Sequence, residues 1–190
     1  FADNADRILD YSYVPNNQDI LHARVNTNGL HETSFKFKGF EFTVFDVGGQ
    51  KTDPRKWIHY FDNVSAMIYT VDISCYDNRD ADPNRLMQSL QLFRSVISHQ
   101  IFEITTIILF LNKTDIFRSK IRHISLHSTF PEYNGTDFDY KESSRYIQLL
   151  FTERNVDSRE FYSHFTTATN SSNIRTLFDD VISIVLQQGL

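Results

Sequence analysis

The chain is 190 residues long and 41% hydrophobic, with 17 Phe and 9 Tyr, ample for the core of one domain or of one domain with an appendage. Its net charge of −5 argues against bulk electrostatic binding to nucleic acid, which needs clustered Lys and Arg. No apolar run approaches the ~18 residues of a membrane span, no N-terminal signal pattern is visible, and one cysteine, Cys75, excludes an internal disulfide framework and fits a reducing, cytosolic compartment.

From Phe1 to about His22 the residues are polar, and two short helices are predicted, broken at Tyr13-Val14-Pro15. Their apolar surface is too small for a domain of their own. Arg24 to His31, with Asn26, Asn28 and Gly29, reads as a loop. Phe35 and Phe37 alternate, Lys38-Gly39 makes a turn, and Phe40 to Phe45 alternates again, which predicts an antiparallel β-hairpin whose second strand buries one face. After Gln50 a charged segment runs to Lys56, and Trp57-Ile58-His59-Tyr60-Phe61 predicts a short helix.

Val64 to Val71 is an apolar run ending in Asp72, the pattern of a strand buried on both faces of a parallel sheet. A polar loop is expected from Asp72 to Asp82. Asp82-Pro83 then predicts an N-cap with proline at the first helical position, followed by Leu86, Leu90, Phe93 and Ile97 at helical spacing. A second buried strand, Thr105 to Leu111, ends in Asn112-Lys113-Thr114-Asp115. Ser125 to Thr136 is turn-rich, Tyr140 to Phe151 reads as a helix, and a third buried strand from Phe161 to Thr166 ends in Thr167-Ala168-Thr169-Asn170. The last helix carries Ile174, Leu177, Phe178, Val181, Ile182 and Val185 on one face, with Ser171 or Ser172 to cap it and Gly189 to end it. Alternating strands and helices make the chain α/β.

Three polar motifs thus follow predicted strands: Asp46-Val47-Gly48-Gly49-Gln50, Asn112 to Asp115, and Thr167 to Thr169. In open parallel sheets, ligands bind beyond the carboxyl ends of strands. Two glycines let backbone N–H groups approach a ligand with no Cβ in the way, although such a pair also suits an ordinary tight turn. An ionised Asp115 only accepts hydrogen bonds, so it can take both adjacent N–H donors of guanine, a pair adenine lacks. Asn112 can donate to a ring nitrogen, the stem of Lys113 can cover the base face, and the Ala168 N–H can donate to the guanine oxygen. Alone, Asn-Lys-x-Asp reads equally as a helix N-cap; the order of all three motifs is that of a GTP-binding protein. His123 and His127 are four apart, but no third ligand accompanies them and no metal site is expected there.

Arg24-Val25-Asn26-Thr27-Asn28-Gly29, Asp46 to Gln50, Asn112 to Asp115 and Thr166 to Thr169 resemble the switch I, switch II, guanine-recognition and final-loop motifs of heterotrimeric G-protein α subunits. The resemblance runs over essentially the whole chain. Residues 1–22 are similar to the end of that family's all-α helical domain and its return linker, and residues 23–190 to its Ras-like, P-loop-type GTPase domain, a mostly parallel sheet with helices on both faces and one antiparallel hairpin. Arf-like small GTPases share the Gly-Gly-Gln, but not an Arg-Val-x-Thr placed this way.

The resemblance implies a guanine-nucleotide switch that binds GTP or GDP with Mg²⁺, hydrolyses GTP as part of a full-length protein, and so ends receptor-to-effector signalling. The alternatives are a non-catalytic interaction module derived from such a subunit, or an Arf-like GTPase. Arg24 is implied as the arginine finger and Gln50 as the residue orienting the attacking water, roles for which Gα is itself a standard example of phosphoryl transfer. Thr27 would ligate Mg²⁺ and Asp46 would hold it through water. The Gly49 N–H would sense the γ-phosphate. Leu21, Arg24, Thr27, Asp46, Gly49, Asn112, Lys113, Asp115, Thr167 and Ala168 make up the implied nucleotide site. Leu30, Lys56, Trp57 and Tyr60 fall where the family binds its βγ dimer, though Trp57 suits a core position equally well. The other implied partners are a G-protein-coupled receptor, an RGS-type GTPase-activating protein, and an effector docking through switch II and the third helix. The implied location is the cytoplasmic face of the plasma membrane, by peripheral attachment through an N-terminus not present here.

Two departures qualify the match. The family's ion pair between switch II and the third helix falls on Pro54 and Gln88, so both partners are replaced. The six glycines (29, 39, 48, 49, 135 and 189) allow no Gly-x-x-x-x-Gly-Lys-Ser/Thr, the loop that cradles the phosphates. The expectation is therefore that these residues are the C-terminal part of a longer protein. The other part would hold the first strand, phosphate loop, first helix and most of the helical domain. The chain is also expected to stop several residues short of the receptor-contacting tail.

Overall fold

The computed structural model describes residues 2–23, 27, 29–47, 58–61, 64–78, 84–155 and 159–188. The chain divides into two compact units, Phe1–Thr52 and Asp53–Leu190.

The first unit opens with two short helices, α1 (Ala5–Ile8) and α2 (Asn17–His22), neither of which buries a residue. They are joined by polar chemistry instead. Arg7 donates both Nη atoms to Asp19, at 2.8 and 2.6 Å. Asp19 also accepts from the Asn16 N–H at 2.8 Å while its own N–H donates to Asn16 Oδ1 at 3.0 Å, a reciprocal cap at the start of α2. The Arg7 hydrogen bonds, then the Asn16 N–H, hold the Asp19 carboxyl well below the usual range.

Strands β1 (Leu30–Phe37) and β2 (Phe40–Val47) form the expected antiparallel hairpin. Lys38 and Gly39 both have positive φ (49° and 85°), as a two-residue turn matching the strand twist requires. Phe35 stacks on Phe42 at 5.7 Å, and Ser34 and Thr43 share a hydroxyl hydrogen bond at 3.0 Å. The expectation of one buried face is corrected: Phe42 and Phe45 are half-buried, while Phe40 and Val44 are exposed. A two-stranded ribbon has no layer of its own unit to cover it.

The second unit is a parallel three-stranded sheet, in the order β3 (Ala66–Asp72), β4 (Thr106–Asn112), β5 (Phe161–Phe165). Asp72 lies opposite Asn112, so β3 and β4 end level. One face of the sheet packs against α3 (Arg85–Ile97), α4 (Thr114–Ile121) and α5 (Tyr140–Thr152). Met67, Val71, Ile107, Leu109 and Leu111 meet Leu90, Phe93, Phe117, Ile147 and Phe151 in that core. The Phe93 ring contacts Tyr69 and Phe151 edge-on, at 4.9 and 5.4 Å. On the other face Ile108 packs with Leu177 and Val181 of the long helix α6 (Ser171–Gln188).

Burial on both faces, expected for all three strands, holds for β4 alone. In β3, Ile68 is 46% exposed and Thr70 is exposed, and β5 is half-buried. Helix α6 is seated on Ile108 and its surroundings, Ala66 at the start of β3 included, and leaves Ile68 and Thr70 further along the same face exposed. Several local expectations are also corrected. The cap of α3 is Asn84, whose Oδ1 accepts from the Leu86 N–H at 2.8 Å; Asp82-Pro83 lies outside the described residues. The start of the expected loop after Asp72 is a buried 3₁₀ turn, Ile73–Cys75. Helix α6 already includes Ser171 and Ser172, and the Asn170 carbonyl accepts its first helical bond, from Ile174. Gly189 is not among the described residues. A 3₁₀ helix, Ile58–Phe61, takes the place of the short helix expected from Trp57.

Candidate functional site

The ends of β4 and β5 carry two of the sequence motifs, and the fold ties them together. Strand β4 ends at Asn112. Lys113 then takes the left-handed conformation (φ 63°, ψ 40°), which costs a non-glycine residue of order 1–2 kcal/mol and turns the chain abruptly into α4. That kink leaves Asn112 at the strand end and places Asp115 in the first helical turn, where backbone N–H groups favour negative charge.

Five hydrogen bonds join this turn to the loop after β5. The Thr166 N–H donates to the Leu111 carbonyl at 2.9 Å, and the Thr114 N–H to the Thr166 carbonyl at 3.1 Å. Asn112 Oδ1 accepts from Thr166 Oγ1 and from the Ala168 N–H, both at 3.0 Å. The hydroxyls of Thr114 and Thr167 meet at 2.8 Å. Asn112 is therefore a structural acceptor between the loops, and its Nδ2 makes no hydrogen bond among the described residues. The Ala168 N–H, read from the sequence as a donor to a base, here donates to Asn112. Asp115 is exposed and its carboxylate has no partner among the described residues, so both oxygens are available to accept.

Lys113 was expected to lay its stem over a base. Its Nζ reaches Asp72 Oδ2, at 2.5 Å. Asp72 Oδ1 caps the 3₁₀ turn, accepting from the Ser74 N–H at 3.0 Å and Ser74 Oγ at 2.6 Å. Cys75 Sγ donates to the Asp72 carbonyl at 2.9 Å. Burial first, then the Asp72 carboxylate, pushes the Cys75 thiol up to about 11, which keeps it a neutral donor. Nearby, Lys120 Nζ on α4 bridges the Ser74 carbonyl (3.0 Å) and Asp77 (2.7 Å), fixing the 3₁₀ turn to the helix that carries Asp115. Sequence reasoning missed Asp72, Asp77 and Lys120. Asp72 had a signal: like Asp46, it is an acid at a strand end.

The family profile described as "G-protein alpha subunit" matches residues 1–185. The chain belongs to the G-protein α-subunit family. It is also 44% identical, over 197 aligned positions, to the guanine nucleotide-binding protein alpha-4 subunit of Caenorhabditis briggsae. That match covers all of this Gα chain and 55% of the relative, so the chain spans about half the length of the curated relative it matches.

Of the other residues expected at the nucleotide and partner sites, Leu21, Thr27, Leu30 and Asp46 are described residues of the first unit of this Gα chain. Thr27 is half-buried, Asp46 is an exposed residue of β2 paired with His31, Leu21 is an exposed residue of α2, and Leu30 starts β1. Thr27 and Asp46 offer a hydroxyl and a carboxylate, the hard oxygen donors that Mg²⁺ takes. Tyr60, in the second unit, is 54% exposed. Arg24, Gly49, Gln50, Lys56 and Trp57 lie outside the described residues. No helix among the described residues is long and apolar enough to cross a membrane.

Proposed function

We propose that the chain is the nucleotide-binding switch of a heterotrimeric G-protein α subunit, binding GTP or GDP and, in the full-length protein, hydrolysing GTP. The observation that carries this reading is the pair of stitched loops beyond β4 and β5, with the Asp115 carboxylate beside them exposed and without a partner among the described residues, in a chain of the Gα family. Asp115 accepts the two N–H donors on the guanine edge. Asn112 Nδ2, left over from its loop contacts, donates to a ring nitrogen, and the Ala168 N–H turns from Asn112 to the guanine oxygen. Thr167 and Leu21 complete the nucleotide contacts.

Thr27 and, through water, the carboxylate of Asp46 would hold Mg²⁺, whose charge would offset that of the phosphates. Arg24 approaches the transferring phosphoryl group, Gln50 orients the attacking water, and the Gly49 N–H reports whether the γ-phosphate is present. Residues 1–22 end the helical domain and residues 23–190 belong to the GTPase domain. With Pro54 and Gln88 at the positions of the family's switch ion pair, the activated switch is held by Gly49 and the packing of Trp57 instead. By the family resemblance, Leu30, Lys56, Trp57 and Tyr60 would be the residues that meet a βγ dimer. A receptor, an RGS-type activating protein and an effector are the remaining partners, at the inner face of the plasma membrane.

The test is single-turnover GTP hydrolysis by the full-length protein with Mg²⁺. Hydrolysis is expected, and Gln50→Leu is expected to reduce it by about two orders of magnitude or more with nucleotide still bound. A full-length protein that retains no guanine nucleotide would overturn the reading in favour of an interaction module. The Arf-like alternative falls with the family assignment.

A further inference from the structure

Asp72 ends β3, and Lys113 directly follows the adjacent strand β4, 41 positions further along the chain. Nothing in the Asn-Lys-x-Asp motif calls for an acid at the end of β3. Three observations define the relationship between them. The Asp72 carboxylate cannot swing toward the lysine, because Oδ1 is committed to Ser74 through two hydrogen bonds. The lysine therefore comes to the carboxylate, on the oxygen left over. Lys113 also has a backbone already set by its left-handed φ, so the direction in which its stem leaves the chain is fixed at the root as well as at the tip. A side chain with four rotatable bonds is thereby held at both ends, across the level ends of β3 and β4.

We propose that Asp72 is a positioning residue for the nucleotide: by pairing with Nζ it holds the aliphatic stem of Lys113 across the strand ends as a preformed cover for the purine ring. The inference rests on the nucleotide reading above and adds a residue to it. Preorganisation removes the rotamer entropy that Lys113 would otherwise lose when a base arrives. As for most changes within one binding site, the gain is expected in the dissociation rate more than in association. It does not depend on which purine is bound, because Asp115 and not Lys113 reads the 2-amino group.

The experiment uses full-length protein loaded with ribose-labelled fluorescent GDP and chased with unlabelled GTP. Asp72→Asn keeps an Oδ1 acceptor for Ser74 while removing the charge that holds Lys113. Release is expected to accelerate about two- to fivefold, the range of a partly exposed ion pair. Labelled IDP should accelerate by the same factor. Lys113→Met keeps the stem, loses the anchor, and leaves the Ser74 cap untouched. It should speed release similarly, and Asp72→Asn added to it should change nothing more. Release from Asp72→Asn that matches or is slower than wild type overturns the proposal, as does an acceleration that persists in full on the Lys113→Met background. A wild-type protein that retains no labelled nucleotide overturns the nucleotide reading, and this inference with it.

Discussion

The Ala168 N–H donates to Asn112 Oδ1 at 3.0 Å, so the two residues proposed to read the edge of a base are bonded to each other across 56 positions of sequence. The same oxygen accepts from Thr166 Oγ1. One amide side chain therefore has two separable duties, accepting between loops through Oδ1 and donating to a ligand through Nδ2.

Those duties are expected to separate on mutation. Asn112→Ala removes the shared acceptor and should lower stability by about 1–2 kcal/mol in denaturant titration. Asn112→Asp keeps an acceptor for both loop donors and should unfold close to wild type. Lacking the Nδ2 donor, it should still lose guanine-nucleotide affinity about tenfold. Equal loss of stability in both variants would mean that the oxygen is not what joins the loops.

Asp115 is exposed and unpartnered among the described residues. Asp115→Ala should therefore change stability by less than about 0.5 kcal/mol. Its effect should fall on selectivity. Inosine nucleotides lack the 2-amino donor, so wild type should prefer GDP to IDP by about tenfold, and Asp115→Ala should bind the two alike in competition titrations.

At the start of α3, the Asn84 side chain makes three hydrogen bonds. Oδ1 caps Leu86, while Nδ2 donates to the Tyr76 and Asn78 carbonyls at 2.7 and 2.8 Å. It joins the helix to the segment leaving β3. Asn84→Ala should cost about 2 kcal/mol and lower the melting temperature by about 4–8 °C.

The Cys75 thiol is pushed up to about 11, chiefly by burial. The thiolate is the reactive form. Alkylation by iodoacetamide at pH 8 should therefore run at least tenfold slower in the native protein than in the unfolded chain. It should keep rising past pH 9, where an ordinary thiol levels off. The linkage has a definite sign. In the unfolded chain the thiol ionises at a lower pH than in the folded protein, so from about pH 9 upward its contribution to stability is lost progressively as pH rises toward 11. Cys75→Ala should remove that part of the alkaline loss.

Much of this protein is written locally. The hairpin turn at Lys38-Gly39, the helical spacing of Leu86 to Ile97 and the apolar run that becomes β4 depend on period and turn chemistry within a few residues. The hydrogen-bonding chemistry of Asn112 to Asp115 is equally legible, because an ionised Asp115 is an acceptor wherever the chain goes. What the sequence could not decide is which faces are covered and which polar groups are already spent. Ile68 and Ile108 look alike as sequence and face the same side of the sheet, yet α6 covers only Ile108, because burial is set by the layer above and not by the residue. Asn112 and Lys113 read as ligand contacts. Only the register that ends β3 and β4 level, and the loop that follows β5, commit their side chains to Asp72, Thr166 and Ala168. Hydrogen bonds and ion pairs between segments tens of residues apart are decided by strand order, and strand order exists only once the sheet has formed.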